Sequence, residues 1–244
     1  MWVHFRSDVS AASEAAESAA PLPTQTATAE PEPVSPEMVR ALVEADHPLT
    51  VSVLGDSTGN DSYEWVSVWA GMLAQHRAVT LHVWDDDRHA WQEPQVLSTV
   101  GSPVTIWNMS APGQSANYPE PMIRKAVPER PDLVIYNYGH NNTPDDIDVQ
   151  LYATMQAVKR AYGDVPGVLI AQNPSTTDLS QRQRETVWKV IHEVGPGNGM
   201  PVVDVFHPFE SAPGPVGRLL VDGTHPNAAG GRLWAQVVAR TIGS

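Results

Sequence analysis

Two short stretches of this chain carry side chains suited to nucleophilic chemistry. Gly55-Asp56-Ser57-Thr58-Gly59 follows directly on the apolar run 50–54. A β-branched run ending in a glycine-flanked serine presents a hydroxyl on a sharp strand-to-loop turn. Asp222-Gly223-Thr224-His225-Pro226-Asn227 lies far downstream. A serine hydroxyl is a weak nucleophile until a base takes its proton, and histidine has a suitable pKa near neutral pH. His225 is the candidate base. Asp222, three residues earlier, can accept the other ring N–H and hold the required tautomer. An oxyanion formed by attack on an acyl carbon needs preorganised donors. The candidates are the backbone N–H groups of Ser57 and Gly113 and the side-chain amide of Asn141.

These residues need a scaffold that brings distant segments together. Strand-like runs fall at 50–54, 79–84, 104–108, 133–138, 168–172 and 201–205. Helical patterns fall at 63–76, 146–162, 179–194 and 227–241, and Ser35-Pro36 opens a short helix to about residue 46. Near-continuous apolar strands alternating with helices predict a parallel sheet covered on both faces. The expected class is α/β: a three-layer α/β/α, flavodoxin-like fold with a mainly parallel five-stranded sheet. In such sheets ligands gather at the carboxyl ends of the strands. Ser57, Gly113, Asn141 and the Asp222/His225 pair each follow a strand or precede the last helix, so all four segments are expected on one rim.

Composition narrows the classes. The chain has 244 residues and a net charge of −13, which argues against nucleic acid or an anionic membrane as partner. It has no cysteine, so disulfides, thiolate metal sites and cysteine nucleophiles are excluded. No apolar run reaches the roughly 18 residues that a membrane span needs. Residues 1–34 are rich in Ala, Ser, Thr, Pro and Glu, and read as a disordered tail or linker. Residues 35–244 are expected to form one domain. The tail is expected to tether it to an envelope or assembly partner, in an extracytoplasmic or cell-envelope setting.

The stretch 55–59 also fits the G-x-S-x-G elbow of α/β-hydrolases. That elbow normally follows several strands, whereas here it follows the first, and no HGGG-like segment precedes it. The chain instead resembles the SGNH, or GDSL, hydrolase family. Gly55-Asp56-Ser57 resembles its first block. Asn108-Met109-Ser110-Ala111-Pro112-Gly113 resembles the second, Gly139-His140-Asn141 the third, and Asp222-Gly223-Thr224-His225 the fifth. The blocks run in family order. The resemblance implies hydrolysis of a small-molecule or carbohydrate ester without metal or organic cofactor. Ser57 would be the nucleophile, His225 the base, Asp222 its orienting acid, and Ser57, Gly113 and Asn141 the oxyanion donors. Thr58 and Asn142 depart from the family pattern, and Gly59 reads as incidental to it. An acyltransferase would share every one of these residues, and a non-catalytic carbohydrate-binding or structural module would share the fold.

Other residues invite weighing. Asp56, Tyr118 and His140 are candidate substrate-binding residues near the rim. His82, Asp85, Asp86, Asp87 and His89 cluster in sequence, but three consecutive carboxylates between strands read as a solvated turn, and no metal is expected. Asp204 and His207 form a second acid–histidine pair, with Asp204 expected to cap a loop. Trp65 and Trp107 are expected in the core.

Overall fold

The central strand, β1 (Leu49–Gly55), is buried along nearly its whole length, as a strand covered on both faces must be. Around it, the computed structural model describes residues 33–244. Chain order runs α1 (Pro36–Glu44), β1, α2 (Trp65–Leu73), β2 (Ala78–Asp85), β3 (Ala90–Trp91), β4 (Gln95–Val96), β5 (Pro103–Ser110), α3 (Ile123–Ala126) and β6 (Leu133–Asn137). It continues with α4 (Ile147–Tyr162), β7 (Gly167–Ala171), α5 (Ser180–Lys189), α6 (Gly195–Gly197), β8 (Val202–Asp204), α7 (Phe206–Ser211) and α8 (Ala228–Ile242). Ser35 caps α1, its side chain accepting from the Met38 N–H at 3.2 Å, with Pro36 in the first turn.

The sheet order is β3-β2-β5-β1-β6-β7-β8, with β4 also on β2. Strands β2, β5, β1, β6, β7 and β8 pair in parallel; β3 and β4 pair antiparallel to β2. The result is the three-layer, mainly parallel, flavodoxin-like fold. It carries six parallel strands, one for each of the six strand-like runs, where a five-stranded sheet was expected; the three-residue β8 stands at the far edge. Strands β3 and β4 have two residues each, too short to leave a periodic signal.

Side chains alternate between two cores. Val51, Val53, Leu133 and Ile135 join α1, α2, α7 and α8 on one face. Leu54, Val134 and Tyr136 join α3 and α4 on the other. Trp65 is fully buried and stacks on Trp234 with centroids 6.0 Å apart, fastening α2 to α8. Trp107 departs from expectation. It is only partly buried and stacks on His82 at 3.7 Å, with Trp91 edge-on at 4.9 Å. On that face of β2 and β5 the aromatic stack itself provides the cover.

Register decides where the chemistry sits. Gly55 at the end of β1 pairs with Ser110 of β5 and Asn137 of β6. The three strands therefore end level, and the loops carrying Ser57, Gly113 and Asn141 leave from one line. The tail expected over 1–34 lies outside the described residues apart from Pro33 and Val34, and the Val34 N–H donates to the Gly199 carbonyl at 2.9 Å.

Candidate active site

Beyond β1 the chain turns around Asp56. This carboxylate is fully buried and accepts from the Thr58 N–H (3.1 Å), the Thr58 hydroxyl (2.8 Å) and the Gln172 amide (3.0 Å). An acid accepting from the backbone two residues on makes an Asx-type turn, which turns the intervening residue, Ser57, outward. Gly59 closes the turn, its N–H donating to the Asp56 carbonyl at 3.4 Å. A Cβ there would lie 2.7 Å from Ser110 Oγ and 3.1 Å from Val66. Its carbonyl accepts from Asn108 Nδ2 at 2.7 Å, which ties the first block to the second.

Ser57 Oγ lies 2.8 Å from His225 Nε2, across 168 positions of sequence. His225 Nδ1 lies 2.7 Å from Asp222 Oδ2. Asp222 Oδ1 accepts from the N–H groups of Thr224 (3.0 Å) and His225 (2.9 Å). These bonds, first that from the His225 N–H, hold the Asp222 carboxyl well below the usual carboxylate range. Folding therefore favours its ionised form: the stability it contributes is present above its unfolded value of 3.8 and lost only on strong acidification. With Asp222 ionised, the ring proton resides on Nδ1 and Nε2 is free to accept from the serine hydroxyl.

The candidate oxyanion donors sit in the loops that follow β1, β5 and β6, whose ends are level. Among the described residues neither the Ser57 nor the Gly113 N–H donates to a protein acceptor. Gly113 has φ +73°, with nothing within 4 Å of a Cβ position, so backbone conformation rather than crowding calls for glycine there. Asn141 is exposed, and its Nδ2 donates one hydrogen to the Gln114 carbonyl at 3.0 Å. That bond anchors the amide and leaves its second N–H available. Asn142, where the family often has aspartate, sends Nδ2 to Asp146 Oδ1 (2.8 Å) and Gln150 Oε1 (3.0 Å). A carboxylate at 142 could not donate, and would face Asp146.

The three residues expected to meet substrate are engaged elsewhere. Asp56 is buried beneath the turn. His140 is buried too: its Nδ1 takes a hydrogen bond from Gln183 Nε2 at 2.6 Å and its Nε2 faces Asn173 Oδ1 at 3.2 Å. Tyr118 donates to Asp86 Oδ1 at 2.5 Å, and its hydroxyl is pushed up to about 12, chiefly by burial. In each case the polar group already has a buried or part-buried protein partner. In the acidic cluster, Asp85 pairs with Arg88 at 3.2 Å and His82 stacks on Trp107. Among the described residues no three His, Asp or Glu side chains are arranged to hold a metal.

Asp204 and His207 reproduce the local geometry of Asp222 and His225. The His207 N–H lies 3.1 Å from Asp204 Oδ1, and Nδ1 lies 2.6 Å from Oδ2. No described serine meets this ring, so the spacing alone does not make a catalytic set.

Sequence reasoning missed Glu64 altogether. It is the residue before α2, is 1% exposed, and accepts from the Asp61 N–H at 2.9 Å. Burial pushes its carboxyl up from 4.5 to about 7. Between those values the folded state holds more protons than the unfolded one, so stability falls as pH rises. Glu64→Gln is expected to raise Tm by several degrees at pH 8, an effect of up to about 3 kcal/mol, and to leave it nearly unchanged at pH 4. Thermal melts at both values check this; equal shifts would refute the titration.

A profile of the GDSL-like Lipase/Acylhydrolase family matches residues 53–233. The chain belongs to that family. As a GDSL hydrolase it is a serine esterase/lipase-type hydrolase that acts on esters. Solved structures with the same fold include the lipase/acylhydrolase from Enterococcus faecalis, 21% identical over 80% of this chain and 95% of that one, TM-score 0.56. A carbohydrate esterase family 3 protein from Talaromyces cellulolyticus is 20% identical over 79% and 95%, TM-score 0.53. An acetylxylan esterase from Geobacillus stearothermophilus is 14% identical over 80% and 94%, TM-score 0.55. No curated protein sequence matches this GDSL hydrolase.

Proposed function

We propose that this GDSL hydrolase cleaves esters of small acyl groups carried on a large alcohol, with carbohydrate O-acetyl groups as the substrate class, through a Ser57–His225–Asp222 triad. The observation that carries the triad is the 2.8 Å approach of Ser57 Oγ to His225 Nε2, with Asp222 at 2.7 Å behind the ring. Ser57 attacks the acyl carbon while Nε2 takes its proton. The negative charge that develops on the carbonyl oxygen is met by the N–H groups of Ser57 and Gly113 and the second N–H of Asn141. The imidazolium then gives its proton to the departing alkoxide, leaving an acyl-serine. Water, deprotonated by His225, attacks that ester; the acid departs and Ser57 recovers its proton. Asp222 stays ionised throughout and stabilises the imidazolium.

The substrate class rests on exposure. Gly113 and Asn141 are exposed, the His225 side chain is 35% exposed and that of Asp222 54%. A rim this open admits a bulky alcohol and does not enclose a long acyl chain. The esterases of similar fold named for carbohydrate substrates are consistent with this reading. The test is a rate comparison across acetylated xylan, p-nitrophenyl acetate and p-nitrophenyl octanoate, with fluorophosphonate labelling mapped by mass spectrometry. Labelling at Ser57 and preference for acetyl esters are expected. Labelling elsewhere would overturn the triad, and preference for octanoate would overturn the substrate class.

Asn141→Ala is expected to lower kcat about 10²–10³-fold with little change in KM, since its donor acts on charge present only in the transition state. Steady-state kinetics on p-nitrophenyl acetate reads this directly; an unchanged kcat removes Asn141 from the site.

A further inference from the structure

Two buried amides, Gln172 and Asn173, follow the end of β7 and belong to none of the motif segments. Gln172 Nε2 lies 3.0 Å from Asp56 Oδ2 and 3.1 Å from Asn137 Oδ1, while its Oε1 accepts from the His140 N–H at 2.7 Å. It thereby joins the nucleophile turn to the Gly139-His140-Asn141 segment. Asn173 makes the next link. Its Oδ1 faces His140 Nε2 at 3.2 Å, and its Nδ2 donates to the carbonyls of Thr224 (2.9 Å) and Pro174 (3.0 Å).

The Thr224 carbonyl and the His225 N–H belong to one planar peptide group. That N–H donates to Asp222 Oδ1 at 2.9 Å. The peptide immediately before His225 is therefore held at its oxygen by Asn173 and at its nitrogen by Asp222. The preceding carbonyl, that of Gly223, is held by Ser175 Oγ at 2.9 Å and the Thr176 N–H at 2.8 Å. His140 sets which way the Asn173 amide faces. Gln183 donates to its Nδ1, so the neutral ring carries its proton on Nε2 and donates to Asn173 Oδ1, turning Nδ2 toward Thr224. Burial keeps that ring neutral by lowering its pKa.

We propose that Asn173 is a positioning residue for His225, fixing through the Thr224 carbonyl the peptide plane from which the imidazole reaches Ser57. This rests on the triad reading. The ring nitrogen stands several ångströms from its Cα, so a modest rotation of that plane moves Nε2 by on the order of 1 Å. A displacement of that size can cost about 10²-fold in rate. The role differs from the acid's. Asp222 sets the tautomer and charge of the ring, whereas Asn173 sets only where it stands.

The test is a double-mutant cycle on the full-length protein with p-nitrophenyl acetate. Asn173→Ala is expected to lower kcat 10- to 100-fold with KM within twofold. In a His225→Ala background, where there is no imidazole to position, the same change is expected to alter the residual rate less than twofold. If Asn173→Ala abolishes the thermal transition, the near-isosteric Asn173→Leu, which keeps volume but cannot donate, replaces it in the cycle. An unchanged kcat in the single variant overturns the proposal, as does an undiminished loss in the His225→Ala background. Wild-type turnover by His225→Ala would instead overturn the triad, and the positioning role with it.

Discussion

Ser57→Ala is expected to lower kcat for short acyl esters by roughly 10⁵–10⁶-fold. The hydroxyl oxygen is the atom that would bond to the acyl carbon, and alanine offers no substitute. What remains is whatever the oxyanion donors contribute to attack by water, on the order of 10³-fold over the uncatalysed reaction. The fold has little stake in this hydroxyl. Among the described residues its one side-chain hydrogen bond is to His225 Nε2, in a partly open site where water replaces it. A net loss of about 1 kcal/mol or less follows, a fall in Tm of roughly 2–4 °C for a domain of this size. Steady-state kinetics, thermal melts and fluorophosphonate labelling test the two halves together. Retained turnover would remove Ser57 from the chemistry; a large drop in Tm would mean that the lost activity reports misfolding.

Asp222→Asn carries the second-largest expected effect, a loss in kcat on the order of 10³–10⁴-fold. The asparagine keeps an oxygen for the Thr224 and His225 N–H groups, so the loop retains its shape. Its amide, however, presents a donor to His225 Nδ1. The ring proton then moves to Nε2, the nitrogen that must accept from Ser57. Geometry survives and the base is lost. The two proteins should also differ in acid stability. The wild type loses the contribution of its ionised carboxylate as pH falls below 3.8, toward the lower folded value, while asparagine has none to lose. The Tm gap between them should therefore narrow on acidification. A gap that is constant with pH, or a kcat within tenfold of wild type, would show that Asp222 does not orient the base.

Much of this architecture was legible because its signals are local. The runs at 50–54, 133–138 and 168–172 are mostly apolar, as strands covered on both faces must be, and each became a strand of the central sheet. The 15-residue α8 announces itself through Asn227, whose side chain caps it. The turn that carries Ser57 was legible as a turn, but the direction of its acid was not. Asp56 reads as a candidate substrate-binding residue near the rim, yet it is buried, and the donors that make its burial tolerable are Thr58, two positions on, and Gln172, 116 positions away. His140 misled for the same reason. A histidine next to an exposed asparagine reads as a rim residue until Gln183 and Asn173 are seen on its two ring nitrogens. Polar residues at the end of an apolar strand were the available signal for Gln172 and Asn173.

The two acid–histidine pairs divide what each level of description decides. By itself the sequence offered two acid–histidine pairs at the same spacing of three. It marked Asp222 as the acid that orients its histidine and Asp204 as a loop cap, and left to the turn between them whether each contact forms. The bonds came out alike, 2.6 Å and 2.7 Å. It also determined a parallel α/β sheet and a serine perched at the end of its first strand. The motif pattern singled out His225, and the tertiary structure is what brings its ring to that serine. The register of β1 against β5 and β6 sets where Ser57 stands, and the amides after β7 hold the 222–225 loop over it. Contacts between residues 168 positions apart are products of packing, and no local pattern encodes them.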